Sequence, residues 1–257
     1  PPPAAAMAAS QSETQPLNRP GSDPYTVPWT SLLDVKKATL DLRRDFVRNV
    51  YGILAMQLLL TTLIAAPFQL VDTAWLASNA WLVWLSMVMT IAIICAMSCS
   101  PDLARTFPAN EILLFLFTAF QGVLVGYVSA AYSWQSLALA VGTTTVLVFG
   151  LSAYAFTTRS DFTGTGVYLF VALLTLCTFG LILLVLALCG IHIQWMMITY
   201  DVICVLLFMM FIVYDTQLML GDWGGHEQQF SVDDYVFAAL SLYLDIVNLF
   251  LHLLRLL

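Results

Sequence analysis

From position 46 to the C-terminus the chain is a series of long apolar runs separated by short polar connections. A run of about 20 apolar residues, rising 1.5 Å per residue as a helix, matches the roughly 30 Å hydrocarbon core of a bilayer. Seven such runs occur, at about 46–68, 80–99, 111–132, 135–156, 167–190, 194–219 and 235–257. Backbone groups in lipid must be satisfied within each segment, so these runs predict helices, and the alternation expected of barrel strands is absent from the sequence. The expected fold is an all-α membrane protein, a seven-helix bundle formed by residues 46–257. The seventh run could instead be re-entrant, because the connection before it contains no basic residue to fix its direction.

Two polar stretches precede the bundle. Residues 1–30, "PPPAAAMAASQSETQPLNRPGSDPYTVPWT", are rich in Pro, Ala and Ser and cannot bury enough surface to order themselves. They read as a disordered tail, since no basic start precedes an apolar core as in a signal peptide. Residues 31–45, "SLLDVKKATLDLRRD", carry mixed charge with Leu and Val at helical spacing, the pattern of an amphipathic helix lying in the membrane interface.

Composition agrees with the pattern. The chain is 60% hydrophobic and 10% charged, with a mean hydropathy of +0.86, outside the range of soluble domains. The formal charge of −7 argues against a nucleic-acid partner; the partner implied is the lipid bilayer. The five cysteines fall in apolar runs without disulfide or zinc spacing and read as packing thiols. Charge also orients the bundle. Lys36, Lys37, Arg43, Arg44 and Arg48 lead into the first run, Arg105 follows the second and Arg159 the fourth, whereas 69–79, 133–134 and 190–193 contain no Lys or Arg. The positive-inside rule then predicts a cytosolic N-terminus, with the connections near 105, 159 and 225 on the same side.

Three acids stand inside the apolar runs: Asp201, Asp215 and Asp245. An ionisable group at membrane depth costs roughly 2.5–3.5 kcal/mol on insertion scales and faces a cavity or a partner. The bland alternative, a hydrogen-bonded structural Asp near a helix end, suits Asp215 best and Asp245 least. The last two runs are sequential, so they should pack as antiparallel neighbours and let Asp215 meet Asp245. Two carboxylates in a low-dielectric site cannot both ionise cheaply; they would share a proton and titrate as one unit. With the proton they tie two helices together. Without it they repel, or offer oxygens to a hard cation such as Ca²⁺. That is the chemistry of a pH-gated cation path. Asp201 lies fourteen residues before Asp215, nearly four full turns, which puts both on one helix face about 21 Å apart. It reads either as a second acid along the same route or as an interfacial Asp beside Trp195 and Tyr200.

The remaining polar features are structural in this reading. "GGHEQQF" at 224–230 lacks the second His of a zinc peptidase, and its glycines are expected to end the sixth helix. In "SVDDY", Ser231 is expected to cap the last helix, with Asp233 and Asp234 complementing its dipole. His192 and His252 lack ligand partners at useful spacing and read as interfacial or core residues.

Three segments together resemble the transmembrane BAX inhibitor motif family, in its lifeguard and Golgi anti-apoptotic branch: "FVRNVYGILAMQLLLTT", "IVYDTQLMLG" and "SVDDYVFAALSLYLDIVNLFLHLLRLL". "TTTVLVFGLSAYAFTTRSDFTGTG" fits the same family, and the resemblance runs in order from about residue 40 to 257. It implies seven helices with the last one central, and a pH-sensitive Ca²⁺ leak channel of the endoplasmic reticulum or Golgi that suppresses cell death. It places the family's aspartyl pair on Asp215 and Asp245, its gating Arg at or near Arg105, and a pore-influencing acid on Asp233. Asp201 departs from the family, where that position is small and neutral. The resemblance also implies links to Bcl-family or death-receptor pathway proteins. No cofactor is expected, with Ca²⁺ as the permeant ion and protons as the regulator.

Three other readings compete. An anti-apoptotic scaffold would act through partners without conduction. An intramembrane aspartyl protease of the presenilin type would need Gly-x-Gly-Asp around its second acid, where this chain has "LYLDI", so no enzyme activity is expected. A seven-span receptor is disfavoured by the short connections.

Overall fold

The structure, a computed structural model, describes residues 29–100, 106, 108–191, 193–221, 224–225, 228–231 and 234–257, with side chains from residue 41 onward. The chain divides into two units, Pro1–Leu42 and Arg43–Leu257. The first is described from Trp29, as the opening turns of α1 (Trp29–Ala65); the disordered tail expected over 1–30 falls almost wholly outside the described residues.

The second unit is helical. After α1 the chain makes a 3₁₀ turn over Ala66–Leu70 and a short helix α2 (Thr73–Ser78). Six long helices follow: α3 (Trp81–Cys99), α4 (Ala109–Ser129), α5 (Trp134–Thr157), α6 (Gly166–Leu188), α7 (Gln194–Leu220) and α8 (Tyr235–Leu256). Among the described residues, seven helical segments, from Asp41–Leu70 to Tyr235–Leu256, are long and apolar enough to cross a membrane. Their bounds follow the seven apolar runs within a few residues. The re-entrant alternative for the last run has no support in its length: 22 residues rise about 33 Å. What the pattern missed is α2, six residues that give too short a period to stand out.

α8 is the centre of the bundle. It packs most extensively on α7 and also meets α5 and α4, and it is the most buried of the seven segments. In lipid the hydrophobic effect does not drive helices together, so small residues and interhelical hydrogen bonds must. Ala238 and Ala239, both fully buried, let neighbouring backbones approach. Thr61 of α1 donates to the Gln57 carbonyl at 2.8 Å, which leaves its oxygen to accept from the buried Tyr243 hydroxyl of α8 at 2.7 Å. Gln57 Nε2 donates to Thr118 of α4 at 3.1 Å. The outer faces are apolar and exposed, including Trp84, Val146, Phe149, Tyr168, Phe170 and Leu188, a surface that only lipid suits.

The two ends of the bundle differ. Trp75 of α2 and Trp81, Trp134 and Trp195 at the starts of α3, α5 and α7 are all exposed. The alternation of the spans puts them at one end, as an aromatic belt. The opposite end holds Arg43, Arg48 and Arg159. The cysteines depart from expectation: only Cys204 packs inside, while Cys95, Cys99, Cys177 and Cys189 are exposed on helix surfaces, and all five are free thiols.

Candidate functional site

The helix pair α7–α8 carries all three intramembrane acids. Asp215 lies in the last two turns of α7, and Asp245 is the eleventh residue of α8; each is 6% exposed. Their side chains meet within hydrogen-bonding reach across the helix interface. Carboxylates only accept, so a hydrogen bond between two carboxyls requires a proton on one of them. Apart from this contact, Asp245 Oδ2 has no hydrogen-bond partner. The Tyr51 hydroxyl of α1 faces Ser152 of α5 and Thr216 of α7, the residue after Asp215. The pair can therefore hold one proton between α7 and α8. Loss of that proton would leave two like charges in contact in a medium of low dielectric. Among the described residues no group of three or more His, Cys, Asp or Glu converges on a point. A Ca²⁺ at the pair would have to complete its six to eight ligands with hydroxyl, carbonyl or water oxygens.

Asp201 shares the inward face of α7, as its spacing predicts, but it meets a different set of groups. It is 3% exposed, and its Oδ1 receives His252 Nδ1 at 2.8 Å and Arg255 Nη1 at 3.3 Å, both from the last turns of α8. The His252 ring stacks on Phe208 and meets the edge of Tyr200. His252, expected as an interfacial or core residue, has a hydrogen-bond partner that its own helix does not reveal: Asp201, on the neighbouring helix. The signal was present in the antiparallel register. If 215 lies opposite 245, then 201 lies opposite the chain end, where Arg255 is the cation within reach.

A second feature was legible only as a topogenic charge. Arg43 is 5% exposed and grips the end of α7: Nη2 donates to the Leu218 carbonyl at 2.6 Å, Nη1 to the Phe230 carbonyl at 2.6 Å and Nε to the Leu220 carbonyl at 3.3 Å. Its guanidinium also lies 4.7 Å from the Phe46 ring centroid. α7 ends at Gly221, whose φ of +49° is the left-handed region that favours glycine; a Cβ there would run into Gln229 and Arg43. On the other side, Gln217 binds the connection between α5 and α6, accepting from the Phe162 N–H at 2.7 Å and donating to the Ser160 carbonyl at 2.9 Å. The expected cap Ser231 is not the N-cap of α8. That position is Asp234, and the Ser231 carbonyl accepts the Asp234 N–H one turn earlier. Arg105, Asp233, His192 and the His226–Glu227 dipeptide lie outside the described residues.

Comparison with known proteins agrees with this architecture. The profile of the family described as "Inhibitor of apoptosis-promoting Bax1" matches residues 43–257. The chain is 31% identical to protein lifeguard 3 of Homo sapiens over 224 residues, which is 84% of this chain and 68% of that protein. It is 30% identical to protein lifeguard 3 of Mus musculus, over 84% of this chain and 69% of the relative. Against protein lifeguard 4 of Mus musculus the identity is 35%, over 86% and 87%. With seven membrane-crossing helices, a central last helix and a family match over the whole bundle, the chain belongs to the BAX inhibitor motif family of multi-pass membrane proteins, whose description is inhibition of apoptosis-promoting Bax1.

Proposed function

We propose that this anti-apoptotic family member is a pH-sensitive Ca²⁺ leak channel of the endoplasmic reticulum or Golgi membrane, lowering store Ca²⁺ with its N-terminus in the cytosol. The observation that carries the reading is the contact between Asp215 and Asp245. Two buried carboxyls, one on the central helix and one on its main packing partner, form a tie that only a shared proton can hold. Deprotonation converts the tie into a repulsion between α7 and α8, and it frees carboxylate oxygens of the kind a hard cation prefers. Proton uptake and cation passage thus compete for one pair of side chains. Asp233 and Asp201 are the acids proposed to lie along the ion route, and Arg105 the cation that pairs with an acid in one gating state.

The test is Ca²⁺ efflux from liposomes containing the purified full chain, measured from about pH 6 to about pH 8, the range in which physiological switches operate. A pH-dependent leak in the wild type that loses its pH dependence in Asp245→Asn supports the reading. Absence of leak at any pH sinks it. A scaffold that protects cells through partners alone would keep its protective effect in Asp245→Asn, so the same variant in a cell-death assay separates the two.

A further inference from the structure

Asp201, His252 and Arg255 form a second charged cluster, at the Trp-belted end of the bundle and about 21 Å along α7 from Asp215. One carboxylate oxygen, Asp201 Oδ1, faces two nitrogen donors at once: His252 Nδ1 at 2.8 Å and Arg255 Nη1 at 3.3 Å. The imidazole is held between the stacked Phe208 ring, with centroids 5.9 Å apart, and the edge of Tyr200 at 5.7 Å. The titratable and charged groups around it are Asp201, Tyr200 and Cys204 on α7, Cys177 on α6 and Arg255 on its own helix. A purely structural ion pair needs Asp201 and Arg255 only; the histidine is the extra group that needs an explanation.

We propose that this trio is a second proton-binding site, one that responds to pH on the Trp-belted side of the membrane by exchanging the counter-ion of Asp201. With His252 neutral, its Nδ1–H donates to Asp201 while Arg255 balances the charge. When Nε2 takes up a proton, two cations compete for one oxygen. The Arg255 side chain is 39% exposed and can move into water, whereas that of His252 is 13% exposed and fixed by two rings. The imidazolium therefore keeps the carboxylate and Arg255 withdraws. The buried Asp201 carboxylate keeps one cationic partner in both states, so the exchange avoids the cost of an unpaired buried charge. Its mechanical result is that the tie between α7 and α8, shared by residues 252 and 255 while the ring is neutral, is concentrated on residue 252, about one turn deeper, where the bond becomes charge-assisted and stronger. Histidine is the side chain that serves as a proton switch under physiological conditions, so the exchange suits a compartment that acidifies. Acid on that side tightens α7 against α8 and opposes their separation at Asp215 and Asp245. The functional part of this inference rests on the leak reading above.

The experiment uses the full chain reconstituted with its N-terminal segment outside, and the inside and outside pH stepped separately. Acidifying the inside is expected to lower wild-type Ca²⁺ efflux several-fold. His252→Gln should abolish that response and keep the response to outside pH. A second readout does not depend on conduction: the rate at which phenylglyoxal modifies Arg255 in wild type, divided by the rate in His252→Gln at the same pH. This ratio is expected to rise several-fold on acidification, as Arg255 leaves Asp201. A flat ratio, or a His252→Gln channel that still responds to inside pH, overturns the second site and leaves a structural ion pair. A rising ratio in a protein that conducts nothing overturns the leak reading while the proton site stands.

Discussion

Arg43 Nη2 donates to the Leu218 carbonyl at 2.6 Å, across 175 residues of sequence, and so closes the end of α7. The last carbonyls of a helix have no intrahelical partner, and here the guanidinium fork of a buried Arg43 satisfies Leu218, Leu220 and Phe230 together. Arg43→Ala removes this donor from the Leu220 and Phe230 carbonyls, while Leu218 keeps the Phe230 N–H at 3.1 Å, and should destabilise the detergent-solubilised protein by about 3 kcal/mol. For a chain of this size that is a fall of roughly 6–12 °C in the unfolding midpoint. Arg43→Lys should recover only part, because a single ammonium cannot reproduce the fork. An Arg43→Ala midpoint unchanged from wild type would show that the grip contributes nothing.

Gly221 stands where that grip and the turn meet. Its positive φ alone costs a non-glycine residue about 1–2 kcal/mol, and the space for a Cβ is already taken by Gln229 and Arg43. Gly221→Ala should therefore lower the midpoint, whereas Gly225→Ala, with φ of +78° but open space around its Cβ, should lower it less. Equal effects would mean that backbone strain acts alone.

The hydrogen bond between Thr61 and Tyr243 joins α1 to the central helix. Interhelical hydrogen bonds in membranes contribute about 0.6 kcal/mol on average, because the helices find other partners when apart. A double-mutant cycle of Thr61→Val and Tyr243→Phe, read by unfolding in mixed micelles, should give a coupling of about 0.5–1.5 kcal/mol. A coupling near zero would assign the α1–α8 contact to packing alone.

The spans and the acid pair were legible for the same reason. Lipid admits few solutions, so twenty apolar residues imply a helix, and a short connection implies that 215 and 245 lie on neighbours. What escaped the sequence involved partners that are backbone carbonyls or that lie far apart in the chain. Arg43 looks like any basic residue ahead of a first span; nothing in "LRRD" says that its acceptors are at 218, 220 and 230. His252 was judged by ligand spacing along its own helix, and its partner is on another. Ser231 has the composition of an N-cap, but α8 opens at Tyr235 with Asp234 as its N-cap, and the Ser231 carbonyl accepts the Asp234 N–H. The cysteines were judged by the apolarity of their surroundings, which in a membrane does not distinguish the inside of a bundle from its lipid face.

The asymmetry between the two ends predicts the orientation. Exposed Trp75, Trp81, Trp134 and Trp195 share one end, and Arg43, Arg48 and Arg159 share the other. The basic end should be cytosolic, so protease added to sealed microsomes should remove residues 1–30. The same treatment should spare the connection 133–134. Protection of the N-terminal segment would reverse the orientation, and with it the side from which each acid is reached.

Asp215 and Asp245 should behave as one titrating unit. Asn keeps the size of Asp and can still donate and accept, so Asp215→Asn or Asp245→Asn removes the shared proton and the like-charge repulsion without opening a cavity. Either single substitution should then hold α7 against α8 at every pH, with efflux at or below the lowest wild-type value and a flat pH profile. The double substitution should add little, because the first has already removed the titration; independent groups would instead add. Stability should follow the same logic. Wild-type protein loses the tie when the pair loses its proton, so its unfolding midpoint should fall as pH rises through that titration, while the single variants show no such fall. The measurement is efflux and unfolding midpoint for wild type, both singles and the double across one pH series. Single variants that keep the wild-type pH midpoint, or a double whose effect is the sum of the two, would make the acids independent and remove the pair from the gate.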